Sequence, residues 1–209
     1  MKETYTTIFE DYEDVLIEKK SRFIANIFHV ENEQEAKDKL NEIKKKHYDA
    51  KHHVYAYRLF NNGNVIEKFS DDGEPAQTAG KPIIDLLKQK DIYNVIIVVT
   101  RYFGGVLLGT GGLTRAYTSS ANLCLENTNK VQMVYSKVIR FFAKYDELDK
   151  IKYYLQISDI EIEKIEYMDN ILFEINVKQT EYEKIVNEIE NMLSRKVDFN
   201  TIVEKYVKK

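Results

Sequence analysis

Residues 92–115, IYNVIIVVTRYFGGVLLGTGGLTR, constrain this chain more than any other segment. The first nine are a nearly unbroken apolar run rich in β-branched residues, which predicts a strand over 92–100 covered on both faces. Five of the chain's eight glycines follow at once, at Gly104, Gly105, Gly109, Gly111 and Gly112. A helix then begins in which Leu113, Ala116, Tyr117, Ser120, Ala121 and Cys124 share one face. Most of these are small, so the helix can approach its sheet closely. A buried strand turning through glycines into a helix is the core unit of an α/β domain.

The flanking sequence reads in the same way. Residues 15–30 read as extended chain broken at the basic step Lys19, Lys20 and Arg22, and residues 33–46 as a helix with Ala36, Leu40 and Ile43 on one stripe. A hairpin is expected from His53–Phe60 and Val65–Phe69 around Asn62-Gly63, a pair suited to a type I′ turn. A polar loop over 70–82 holds both prolines and precedes a short helix at 83–88. From 131 the pattern predicts strand, helix, a hairpin turning at Asp169-Asn170, helix, and a last strand carrying Val197, Phe199 and Val203. That βαββαβ order is ferredoxin-like. The expected fold class is therefore α+β, with domains at 1–130 and 131–209.

Composition narrows the function. Residues 1–130 carry 18 basic and 19 acidic side chains and residues 131–209 carry 13 and 15, so any nucleic-acid binding must come from a local patch. No run reaches the apolar length of a membrane span. The acidic, polar start MKETYTTIFEDYED resembles neither a signal nor a transit peptide. The single cysteine, Cys124, forms no internal disulfide and reads as a buried filler, which fits the cytoplasm. No catalytic set, cofactor or metal site is expected.

Four segments could carry chemistry. Gly104, Gly105, Gly109 and Gly112 lead into a helix start, where free N–H groups favour anions, and Arg101 and Arg115 flank them. Tight strand–helix packing accounts equally for the glycines. The loop SDDGEPAQTAGKP holds Asp71, Asp72 and Glu74, which could bind a cation or act as a base; a solvated turn capping the next helix is the simpler reading. His52 and His53 point to opposite faces of a strand and cannot easily share a metal. Basic residues beside an aromatic at 19–23 could contact nucleic acid, or defend a strand edge.

Read together, KKSRFIA (19–25), SDDGEPAQTAGKP (70–82) and VVTRYFGGVLLGTGGLTRAY (98–117) resemble the IMPACT/YigZ family. The resemblance covers residues 1–127, and the tail is similar to the fifth domain of elongation factor G. It implies an N-terminal domain of the ribosomal protein S5 domain 2-like kind. Eukaryotic members regulate translation under amino-acid stress by competing for an activator of an initiation-factor kinase. The implied role here is translation-associated, through binding of RNA, the ribosome or a translation-factor protein. The expected binding residues are Arg22, Arg101, Tyr102, Gly104, Gly105, Gly109, Gly112 and Arg115, with His53, Asp72, Glu74 and Lys81 as further polar members. Two alternatives stand: an enzyme acting on a phosphorylated small molecule, and a protein–protein adaptor.

Overall fold

The structure, a computed structural model, describes residues 2–61 and 63–208. In chain order the elements are β1 (Thr4–Ile8), β2 (Tyr12–Glu18), β3 (Ser21–His29), α1 (Glu33–Lys46), β4 (His52–Asn61), β5 (Asn64–Ser70), α2 (Gly80–Gln89), β6 (Val95–Tyr102) and α3 (Gly109–Glu126), then β7 (Lys130–Ala143), α4 (Leu148–Ile157), β8 (Ile162–Tyr167), β9 (Ile171–Lys178), α5 (Tyr182–Leu193) and β10 (Asn200–Lys208). Contacts divide the chain into one unit of Tyr5–Gln132 and a second of Lys2–Thr4 with residues from Met133 on. The protein is a mixed α+β chain, with an N-terminal α/β domain and a C-terminal domain of helices on an antiparallel sheet.

In the first unit the sheet order is β2-β3-β6-β4-β5, and every neighbouring pair is antiparallel. The apolar run is central because both faces of β6 are covered. Val95, Ile97 and Val99 join a core with Ile83 and Leu87 of α2 and Leu113, Tyr117 and Ala121 of α3. Ile96 and Val98 face the other way, onto Ala36 and Ile43 of α1. The small face of α3 lets it sit close to β3: Ser120 Oγ donates to the Phe23 carbonyl at 3.5 Å, and Cys124 Sγ reaches the Ala25 carbonyl at 3.4 Å. Burial pushes the Cys124 thiol up to about 12.

Some boundaries differ from expectation for local reasons. β6 starts at Val95, not 92, because Asp91 and Asn94 adopt left-handed backbone and the Ile92 amide bonds back to the Leu87 carbonyl. α2 starts at Gly80, three residues early. Asp71 Oδ1 accepts the amides of Ala79 and Gly80, at 3.1 and 2.8 Å, and Pro82 occupies the first turn, where a missing N–H costs little. The Lys19-Lys20 step is a hairpin turn with both φ positive, at 44° and 65°. The β4–β5 hairpin forms, with Gly63 at φ 87°, although Asn62 of the expected turn lies outside the described residues.

In the second unit β10-β7-β9-β8 are antiparallel neighbours, the order of a ferredoxin-like βαββαβ domain. Its core joins Ile139, Phe141, Ile151, Leu155, Phe173, Ile175, Ile185 and Ile189. The last strand begins only at Asn200. Val197, expected in it, instead gives its amide to Glu190 Oε1 at 3.1 Å, which ties that stretch to the end of α5.

Candidate functional site

Strand parity places Arg101 on the same face as Val95, Ile97 and Val99, so this arginine enters the domain core. It is 7% exposed. Its Nη1 donates to Glu74 Oε1 at 2.6 Å, and the Tyr117 hydroxyl donates to the same oxygen at 2.7 Å. The Phe23 and Phe103 rings each lie 5.5 Å from its guanidinium carbon. Burial first, then the charge of Glu74, pushes the Tyr117 phenol far above its ordinary range, so it stays a donor. Arg101 Nε is buried and has no acceptor among the described residues.

The acidic loop that supplies Glu74 gives each carboxylate separate work. Asp71 accepts three amides, those of Gln77, Ala79 and Gly80, and so caps α2. Asp72, at φ 43°, accepts the His53 amide at 2.6 Å and lies 3.8 Å from Lys44 Nζ. Gly73, at φ 87°, turns the chain inward, and the Glu74 side chain is 3% exposed. The expected solvated turn therefore holds for the cap and fails for Glu74, which is buried under Arg101. Among the described residues no group of three or more His, Cys, Asp or Glu could hold a metal ion.

A cleft of about 510 Å³ opens at the end of β6, lined by Asp49, Ala50, Lys51, His52, Arg101, Tyr102, Phe103 and Leu107. Tyr102 is fixed from three sides. Its hydroxyl donates to Asp49 Oδ1 at 2.8 Å and meets His47 Nδ1 at 3.1 Å, and the Arg22 guanidinium lies 4.6 Å above its ring. Burial, then the Asp49 hydrogen bond, raises the Tyr102 pKa; burial, then Lys46, lowers that of His47. His52 Nδ1–H donates to the Asp72 carbonyl at 2.9 Å on the cleft side. His53 is buried on the other face, where its Nε2–H donates to the His47 carbonyl at 3.0 Å.

The remaining expected residues divide between packing and surface. Gly104 gives its amide to Ser21 Oγ at 3.1 Å, and a Cβ on it would lie 2.0 Å from the Lys20 carbonyl carbon. Gly105 and Gly109 have φ of +84° and +70°, and among the described residues nothing but their chain neighbours and own helix backbone lies within 4 Å of an added Cβ. A Cβ on Gly112 would meet Leu108 Cβ at 3.1 Å. Arg115 is exposed and lines a different, smaller cleft of about 250 Å³ with Leu16, Glu18, Lys19 and Leu108. Arg101 and Arg115 thus do not bracket a single anion site. Arg115 sits one helical step before the buried pair Ala116 and Tyr117, which turns it away from Arg101. Lys81 is paired with Asp85 one turn along α2.

The segment 44–53, KKKHYDAKHH, matches no sequence motif, and only its last two residues are among those expected from sequence. Four lysines and three histidines against one aspartate were the available signal. The structure brings the segment beside the end of β6, where His52 pairs in register with Arg101. Tyr48 is 85% exposed, and Lys45, Lys51 and Arg22 are exposed too.

Family comparison covers this site. The Impact N-terminal domain matches residues 19–125, and a domain of unknown function (DUF1949) matches residues 142–194. IMPACT family member YvyE of Bacillus subtilis is 39% identical over 181 residues, which is 87% of this chain and 83% of the relative. The chain belongs to the IMPACT family. IMPACT family member YigZ of Escherichia coli is 34% identical over 158 residues, 75% of this chain and 78% of its own. A crystal structure described as that of an hypothetical protein aligns with a TM-score of 0.64 at 28% identity, covering 98% of this chain and 100% of the other. In this IMPACT-family chain, every residue lining the 510 Å³ cleft falls inside the matched Impact N-terminal domain.

Proposed function

We propose that this IMPACT-family chain binds single-stranded RNA at the end of β6, and that this binding is its link to translation. The observation that carries the reading is the meeting of the basic 44–53 segment with Arg101, Tyr102 and Phe103 around one cleft. Single-stranded nucleic acid is held by cations that track its backbone and by aromatic faces on which bases stack. Lys45, Lys51 and Arg22 are exposed cations here, while Tyr48 (85% exposed) and Phe103 (55%) are exposed rings. The patch is local, so it is compatible with the net charge of −3. The eukaryotic role implied by the family resemblance agrees with a translation-associated function.

A second reading rests on Val106 and Leu107, which are 41% and 83% exposed beside Phe103. An apolar tip of this kind also suits a translation-factor protein partner, and such contact is little affected by salt.

The test is fluorescence anisotropy with a labelled oligoribonucleotide across a salt series. Affinity should fall by about one to two orders of magnitude between about 50 and 200 mM salt, as expected for a few phosphate contacts. Lys51→Glu and Arg22→Glu should each weaken binding about tenfold or more. Lys51 is exposed, so Lys51→Glu should leave stability within about 0.5 kcal/mol, whereas Arg22→Glu also gives up the contact with the Tyr102 ring and should cost about 0.5–1 kcal/mol. Wild-type protein that binds no RNA at low salt, or charge-reversed variants that bind as wild type, would contradict the proposal.

A further inference from the structure

We propose that the cleft at the end of β6 is a receptor for a terminal phosphate, a phosphomonoester rather than a phosphodiester within a strand; this rests on the RNA-binding reading above. Arg101 is the one buried residue among those lining the cleft. Its Nη1 is committed to Glu74, whereas its Nε is buried without an acceptor among the described residues. A guanidinium offers its N–H groups in a fixed plane, and the Nε–Nη2 edge matches two oxygens of one oxyanion. Glu74 occupies one part of the fork and leaves that edge for a second acceptor. Leaving a buried charged donor unpaired is costly, so an incoming oxyanion gains both its own bonds and relief of that cost.

The surroundings suit a phosphate carrying a nucleoside. Because Glu74 already balances the charge of Arg101, the attraction must come from directed hydrogen bonds and from the second cation, Lys51, on the cleft wall. His52 lies on the same wall. Tyr102, Phe103 and Leu107 offer apolar surface to a base or ribose. The volume of about 510 Å³ falls within the usual range for a small-molecule site. Arg101 as a residue is only 7% exposed, so its guanidinium can be reached only by a group at the end of a chain. A phosphodiester carries chain on both sides and cannot bring its two free oxygens that deep.

The experiment uses the full chain and one single-stranded oligoribonucleotide of about ten nucleotides, a length within ordinary site sizes. It is prepared with a 5′-phosphate, with a 3′-phosphate, or with hydroxyls at both ends, and adenosine monophosphate and inorganic phosphate serve as competitors. One phosphorylated form should bind about tenfold tighter than the hydroxyl form, the scale of one bidentate charge-assisted pair. Arg101→Lys keeps a cation beside Glu74 but loses the planar edge, and should abolish that preference while melting shows the domain folded. Comparison of the three ends on wild-type protein needs no variant, so a misfolded substitution leaves the test intact. Equal affinity for all three ends overturns the terminal-phosphate receptor and leaves RNA binding standing. Binding of the mononucleotide with no RNA binding supports the receptor, identifies a free nucleotide as the source, and overturns the RNA reading. No binding of any phosphorylated probe overturns both.

Discussion

Glu74→Ala should lower the free energy of unfolding by about 3–5 kcal/mol, the scale for breaking a buried ion pair by removing one partner. The carboxylate is 3% exposed and receives both Arg101 Nη1 and the Tyr117 hydroxyl on one oxygen. Its removal leaves the guanidinium of buried Arg101 without a counter-charge and a buried phenol without an acceptor. Both orphaned groups have lost their exchange for water, which makes the loss large. Urea denaturation followed by circular dichroism measures it. A Glu74→Leu, Arg101→Met pair should lose much less than the two single changes combined, because apolar replacement of both partners removes the stranded charge. A loss below about 1 kcal/mol for Glu74→Ala would place the pair in ordinary surface territory and contradict the buried geometry. It follows that Arg101→Ala is a poor probe of binding, since it strands Glu74 in turn; Lys51, exposed on the cleft wall, is cleaner.

Gly104→Ala should destabilise by about 1–3 kcal/mol or more, through overpacking against backbone. The new methyl would lie 2.0 Å from the Lys20 carbonyl carbon, 2.1 Å from its oxygen and 2.4 Å from the Ser21 nitrogen. None of these atoms belongs to a flexible side chain that could swing aside. The Lys19-Lys20 turn has both φ positive and little freedom to retreat. The expected accompaniment is a shift of the β2–β3 turn away from Tyr102, which moves Arg22 off its ring. Gly111→Ala is the matched control: among the described residues nothing beyond its own chain neighbours and helix backbone lies within 4 Å of the added Cβ, and it sits in the first turn of α3, so stability should hold or rise by up to about 1 kcal/mol. Thermal melts of the two variants side by side measure the contrast. Equal melting temperatures would show that the close approach at Gly104 is not a constraint.

The fold was legible where a single periodicity decided it. The stripe Ala36, Leu40 and Ile43 predicted α1 over its observed span, Glu33–Lys46. The β-branched run predicted a strand covered on both faces, and the structure supplies α1 on one face and α2 with α3 on the other. The site was less legible, because its members meet through the fold. Glu74 and Arg101 are 27 residues apart, and only the inward turn at Asp72-Gly73 brings them together. One clue to Arg101 was present: it continues the alternation Val95, Ile97, Val99 into the core. The glycines drew attention toward the helix start, although Gly104 and Gly112 lie close to neighbouring atoms. The basic segment 44–53 was not legible because it spans the end of α1 and the start of β4, where no periodicity collects its charges.

The most direct measurement is an NMR titration of isotope-labelled protein with a single-stranded oligoribonucleotide at low salt. Amide shifts should concentrate at Lys45–His52 and at Arg101–Leu107, and fade as salt is raised. Shifts confined to the surroundings of Arg115 or to the C-terminal unit would contradict binding at the end of β6.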